Sequence, residues 1–207
     1  MSSCEKPMAG SAPGGLKGLA AAEAEGKKAR GLPPVHLWNS DFCGDIDMRI
    51  ARDGTWFYTG TPIGRPPMVR LFSTILRHDE DGKYYLVTPV EKVGIKVDDA
   101  PFLAVTMQAT GSGREQVLGF TTSVGDDTLA GAQHPIRFEI DAATGEPAPY
   151  VHVRARLEAL IARAVFYDLV ELGREEMHQG KNWFGVWSSG IFFPFMPADE
   201  MKRQALI

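Results

Sequence analysis

The chain has 207 residues, 44% of them hydrophobic and 23% charged, with a formal net charge of −4. That is ordinary globular usage, with enough chain for one sizeable core or two small ones. The mild acidic balance argues against a nucleic-acid partner, which needs a clustered basic face; no window approaches the roughly 18 apolar residues of a membrane span, and the absence of a signal-peptide stretch makes the expected location cytoplasmic.

Residues 1–32 are rich in Ala, Gly, Ser and Lys and nearly devoid of large apolar side chains, so a disordered tail or a frayed helix is expected there. Ile46, Met48 and Ile50 then alternate with Asp45, Asp47 and Arg49, the period of a half-buried strand. Asp53-Gly54 and the β-rich run Thr55–Thr59 complete a hairpin signal. Pro66-Pro67 opens a helix whose face is Met68, Leu71, Phe72, Ile75 and Leu76, ended by the turn at 79–82. Residues 83–122 read as four strands: 84–88, 93–97, 102–109 and 116–122. Ile136, Phe138 and Ile140 alternate with Arg137 and Glu139 in a further strand. A longer helix is expected from about Arg154 to Leu172, stopped by Gly173. Two apolar strands, 183–187 and 190–194, close the pattern. The predicted core includes Leu71, Phe72, Ile75, Leu157, Ile161 and Val165.

Two stretches share one plan: an alternating Ile-x-Met-x-Ile or Ile-x-Phe-x-Ile strand, a glycine turn, an aromatic strand, and a helix carrying Arg70-Leu71 or Arg156-Leu157. The expected class is therefore α+β, mainly antiparallel strands with two amphipathic helices. It would consist of two repeated strand-strand-helix-strand motifs, 33–122 and 123–207, sharing a core.

Gly44–Ile50, Asp53–Trp56, Gly60–Ile63, Leu71–Thr74, Thr88–Val93, Asp99–Phe102, Phe166–Val170 and Asn182–Gly190 together resemble the bacterial domain-of-unknown-function 1285 family. The resemblance covers about residues 33–195. It implies two repeated α+β motifs, part of them similar to a pleckstrin-homology-like half-barrel, and a role in signal transduction or regulation. It implies no catalytic residues.

The residues themselves carry little chemistry. Asp45 and Asp47 share a strand face and could bind a metal or do acid–base work, although a solvated strand face, with Asp47 near Arg49, is the preferred reading. The five histidines lack metal-ligand spacing, and no metal site is expected. Cys4 and Cys43 suggest reduced, structural thiols rather than a nucleophile or a disulfide framework. Ser188-Ser189-Gly190 lacks the flanks of a nucleophile elbow, and no glycine loop suits a nucleotide, so no cofactor is expected. The informative feature is arginine at the helix starts: Arg65 and Arg70 in the first, Arg154 and Arg156 in the second. Helix N-termini disfavour cations, so these mark an anion site or are paired with strand acids. Trp56 and Tyr58 are the aromatics expected beside them.

The chain therefore reads as a non-enzymatic binding or regulatory module. It would recognise a small anion or a protein segment in a groove between the two repeats, lined by Arg65, Arg70, Arg154, Arg156, Trp56 and Tyr58. The alternatives are an enzyme using Asp45, Asp47 and Glu91, and a structural subunit of a homo-oligomer.

Overall fold

The computed structural model describes residues 16, 18–28, 31–140 and 145–200. The chain divides after Asp99 into two compact units. The fold is α+β with mostly antiparallel sheets, one of them a curled half-barrel. No helix among the described residues is long and apolar enough to cross a membrane.

In the first unit, helix α1 (Leu19–Lys28) precedes strands β1 (Phe42–Ile50), β2 (Trp56–Tyr58) and β3 (Thr61–Pro62). Helix α2 (Pro66–Thr74) leads to β4 (Leu76–His78), β5 (Tyr84–Val87) and β6 (Lys92–Val97). The six strands form one sheet in the order β3-β2-β1-β6-β5-β4. β1 behaves as its alternation predicts: Met48 and Ile50 are buried while Asp45, Asp47 and Arg49 are exposed. It turns at Gly54, whose φ of 80° favours glycine, and pairs antiparallel with β2. Its other edge pairs in parallel with β6. α2 lays Phe72 on Trp56, ring centroids 6.3 Å apart. The helix stops at Thr74, earlier than its apolar periodicity suggested, because Leu76–His78 pair with Leu86–Tyr84 instead.

The segment before β1 is fastened by Arg77, which donates to Val35 O at 3.0 Å and Trp38 O at 2.8 Å and binds Asp79 at 2.5 Å. Lys92 reaches the same carboxylate at 3.3 Å. Burial raises the Asp79 pKa, but the hydrogen bonds and charges of Arg77 and Lys92 outweigh it and hold the carboxyl below its ordinary value. Nearby, Tyr85 donates to Asp81 at 2.5 Å; that bond, with burial, pushes the phenol up to about 12.

α1 corrects the expectation of a disordered or frayed tail, the rest of which lies outside the described residues. Ala22 is fully buried, Gly26 is buried against Pro33, and Glu25 accepts from Trp38 Nε1 at 3.1 Å. Small side chains four apart let the helix approach closely, so it docks without the large apolar residues that would have marked it.

The second unit begins with β7 (Phe102–Thr110), β8 (Val117–Thr122), β9 (Asp127–Leu129), β10 (Ile136–Ile140), β11 (Pro147–Arg154) and β12 (Leu157–Ile161). They form a sheet in the order β10-β11-β12-β7-β8-β9, with β12 and β7 parallel. The sheet curls. Thr128 on β9 donates to His152 O on β11 at 3.3 Å although the two strands are far apart in the sheet order. Helix α3 (Arg163–Glu171) buries Val165 and Leu169, and β13 (Arg174–His178), β14 (Lys181–Ser188) and β15 (Ile191–Pro197) make a second, three-stranded sheet.

Two expectations change here. The long second helix is a strand, β12, followed by the shorter α3. Leu157, Leu160 and Ile161 fit a helical stripe, but they also fit a central strand buried on both faces, and pairing with β7 decides for the strand. The division expected after Thr122 falls after Asp99, because β7 and β8 are hydrogen-bonded into the second unit's sheet.

The repetition is present in another registration. Read from β4, the first sheet runs β4-β5-β6-β1-β2-β3, and the second runs β10-β11-β12-β7-β8-β9. β1 therefore corresponds to β7, not to the Ile136–Ile140 strand, and α2 has no helical counterpart between β9 and β10.

Three outcomes are expected. Ile161→Ala, at 2% exposure in a central strand, should cost about 2–5 kcal/mol in urea denaturation. Removing residues 1–28 should lower the melting temperature by roughly 2–6 °C, through loss of the α1 contact and the Trp38–Glu25 bond. Because the Asp79 pKa is depressed in the fold, its contribution is present above the unfolded aspartate value, about 3.9, and is lost as pH falls through the folded value. Asp79→Asn should therefore flatten the acid limb of the stability–pH curve.

Candidate functional site

A groove of about 760 Å³ lies between α1 and α2. Leu19 and Glu23 line one side, and Gly64 to Met68, Arg70, Leu71 and Thr74 line the other. Arg65 is the residue capping α2, held extended at φ −114°, and Arg70 sits five positions on. Both are exposed, and neither guanidinium has a hydrogen-bond or ion-pair partner among the described residues. Glu23, the carboxylate in the groove, is engaged by Lys27 at 2.7 Å.

The helix N-terminus adds nothing to anion binding. Pro66 and Pro67 have no N–H, and the Met68 and Val69 N–H groups both donate to Arg65 O, at 3.0 and 3.2 Å. The groove's positive character is therefore that of two guanidiniums over an apolar floor of proline, Met68 and Leu71.

The other expected residues do not join them. Trp56 is 2% exposed beneath Phe72, a core side chain rather than a binding anchor. Tyr58 is half-buried in β2, opposite Met48. Arg154 and Arg156 belong to the second unit and to no helix: Arg154 ends β11, and Arg156 lies in the turn before β12. Arg154 is paired with Asp126 and lies over the Phe102 ring at 4.8 Å, an internal fastening. Arg156 is exposed.

The second unit has a pocket of about 290 Å³ between β10, α3 and the three-stranded sheet. Phe138, Phe166, Phe184, Phe195, Val170 and Met196 form most of its wall. The rings are tilted against one another, Phe138 lying 3.8 Å from Phe195 and 6.1 Å from Phe166. Arg137, next along β10, takes both Glu158 and Glu139 as partners. The Glu158 hydrogen bond raises its pKa above the ordinary value despite burial. No spacing in the sequence announced this pocket, because its rings come from four separate elements.

Comparison with known proteins follows the same division. Residues 33–100 match the DUF1285 N-terminal domain, a domain of unknown function, and residues 101–195 match the C-terminal domain of the same family. The chain belongs to the DUF1285 family. It is similar to the crystal structure of a DUF1285 family protein from Silicibacter pomeroyi DSS-3, with 61% identity over 91% of this chain and 100% of that one and a TM-score of 0.78. A DUF1285 family protein from Shewanella baltica OS155 is 29% identical over 61% of this chain and 91% of that one, with a TM-score of 0.47. No curated protein matches.

Elsewhere in this DUF1285 chain the reactive residue types serve the fold. Asp45 and Asp47 are exposed on β1, Glu91 is half-buried in the β5–β6 turn, and none lines either cavity. Cys43 is half-buried on β1 with its Sγ 3.5 Å from Asp41 O and lines neither cavity, and Cys4 lies outside the described residues. Ser188 donates to Ala130 O at 2.7 Å and accepts from Leu118 N at 2.9 Å, which commits its hydroxyl to packing. His134 and His152 meet at 3.3 Å where the sheet curls, with His152 Nε2 on Ala155 O at 2.6 Å. No group of three or more metal-ligating side chains gathers among the described residues.

The two kinds of arginine should respond differently to removal. Arg154→Ala strands a half-buried Asp126 carboxylate and should cost about 1–3 kcal/mol in urea denaturation. Arg65→Ala removes an exposed group with no ion-pair partner among the described residues and should change stability by no more than about 0.5 kcal/mol.

Proposed function

We propose that this DUF1285 protein is a non-enzymatic binding module with a regulatory role, recognising an anionic ligand in the groove between α1 and α2. The observation that carries the reading is the pair of exposed guanidiniums, Arg65 and Arg70, both lining that groove and neither engaged by a carboxylate among the described residues. Arginine binds carboxylate and phosphate oxygens through its fixed fork of N–H donors. The groove's volume of about 760 Å³ has room for a small anion or part of an acidic protein segment, and Met68, Leu71 and the two prolines would receive the apolar part. Catalysis has less support, since the carboxylates lining the two cavities, Glu23 and Glu139, are ion-paired with Lys27 and Arg137. A role in bacterial signal transduction is in keeping with such a module.

The test is isothermal titration with inorganic pyrophosphate and, separately, with an acidic peptide, each at low and high salt. At least one should bind, and salt should weaken it because the contact is between exposed charges. Arg65→Ala and Arg70→Ala should each weaken binding by about tenfold, the loss of a charge-assisted hydrogen bond. Retained affinity in the double variant, or no binding of either probe at low salt, would overturn the reading.

A further inference from the structure

We propose a second ligand site in the other unit, the aromatic pocket under α3, and assign it to a small, neutral, mostly apolar molecule carrying one hydrogen-bond acceptor. Its volume of about 290 Å³ is at the low end of the roughly 300–1,000 Å³ of small-molecule sites, room for one ring or a short chain. Four phenylalanines set the walls, and tilted rings leave faces and edges free for a further ring.

Polarity is confined to two lining side chains. Tyr167 is the one lining residue whose side chain can donate a hydrogen bond, and Glu139 can only accept. Arg163 Nε donates to the Tyr167 oxygen at 2.9 Å. That leaves the phenolic hydrogen to donate, and it has no acceptor among the described residues. A ligand with one acceptor oxygen would take it.

The charges of the rim argue for neutrality. Arg163 faces Glu146 at 3.8 Å, and Arg137 is shared between Glu139 and Glu158. Both cations are already compensated by these acids. An anionic head group would have to compete with the acids for the arginines, and a cationic one with the arginines for the same acids.

This site lies in a different unit from the α1–α2 groove, so failure of either proposal leaves the other standing. The probes are methyl benzoate, benzoate, benzylammonium and propylbenzene, a set that varies charge and acceptor on one ring. Binding to the full chain is followed by the methyl NMR signals of Met196 and Val170. Methyl benzoate should shift them saturably, and benzoate and benzylammonium should bind about tenfold more weakly or worse. Tyr167→Phe, an exposed position, should weaken methyl benzoate several-fold, up to about tenfold, and leave propylbenzene unchanged. Val170→Phe, which fills the pocket, should abolish both. Equal affinity for a charged probe, no effect of Tyr167→Phe, or no saturable shift would overturn the assignment. So would sedimentation showing that these residues are covered by a second copy of the chain.

Discussion

In each unit the first and last strands of a six-stranded sheet lie side by side and parallel, β1 against β6 and β7 against β12. Parallel neighbours cannot be joined by a tight turn, so a long crossover must separate them. Here the crossover is the remaining four strands, two added to each side of the central pair. The central strands thus have partners on both edges and are the most constrained parts of the chain. Their side chains show it. A Cβ on Gly94 would meet Asp45 Oδ1 at 2.0 Å, so a side chain at that register would require the exposed Asp45 carboxylate to swing aside. β12 is buried at four of its five positions.

The same order puts the third and fourth strands of each unit at opposite edges, so the chain must cross the whole sheet between them. At about 4.8 Å per strand, a six-stranded sheet is roughly 24 Å wide. In the first unit α2 makes the crossing, pressing Phe72 onto Trp56 and leaving Arg65 and Arg70 on its outer side, where α1 completes the groove. In the second unit the sheet curls until β9 meets β11, and residues 130–135 suffice without a helix. The helix that the crossing does not need appears after β12 as α3, and it forms a wall of the aromatic pocket. One topology therefore yields two different cavities: one beside a crossing helix and polar at its mouth, the other beneath an appended helix and lined by rings.

Legibility followed the physics of exposure. β1 could be read because one of its faces meets water, which leaves a period of two, and β10 carries the same alternation in sequence. The α2 start was marked by Pro66-Pro67, and that is why Arg65 and Arg70 were found together. β12 was misread because a strand buried on both faces has no alternation, and its Leu157, Leu160 and Ile161 satisfy a helical spacing equally well. That error carried Arg154 and Arg156 to a helix start that does not exist. α1 was missed because its contact is made by Ala22 and Gly26, residues whose smallness is the reason they fit and also the reason they give no hydrophobic signal.

By itself the sequence determined the class of fold, the hairpin at Gly54, the buried identities of Phe72, Ile75, Leu157, Ile161 and Val165, and the family. These depend on local periodicity, turn chemistry and residue type, which are properties of neighbours along the chain. The tertiary structure decided which strands pair, where the units divide, which arginines are paired among the described residues, and that Phe138, Phe166, Phe184 and Phe195 share one pocket. Those outcomes depend on contacts between residues far apart in sequence. An arginine carries the same charge whether Asp126 lies beside it or solvent does, and only the fold brings the aspartate to Arg154 while leaving Arg65 and Arg70 facing a groove.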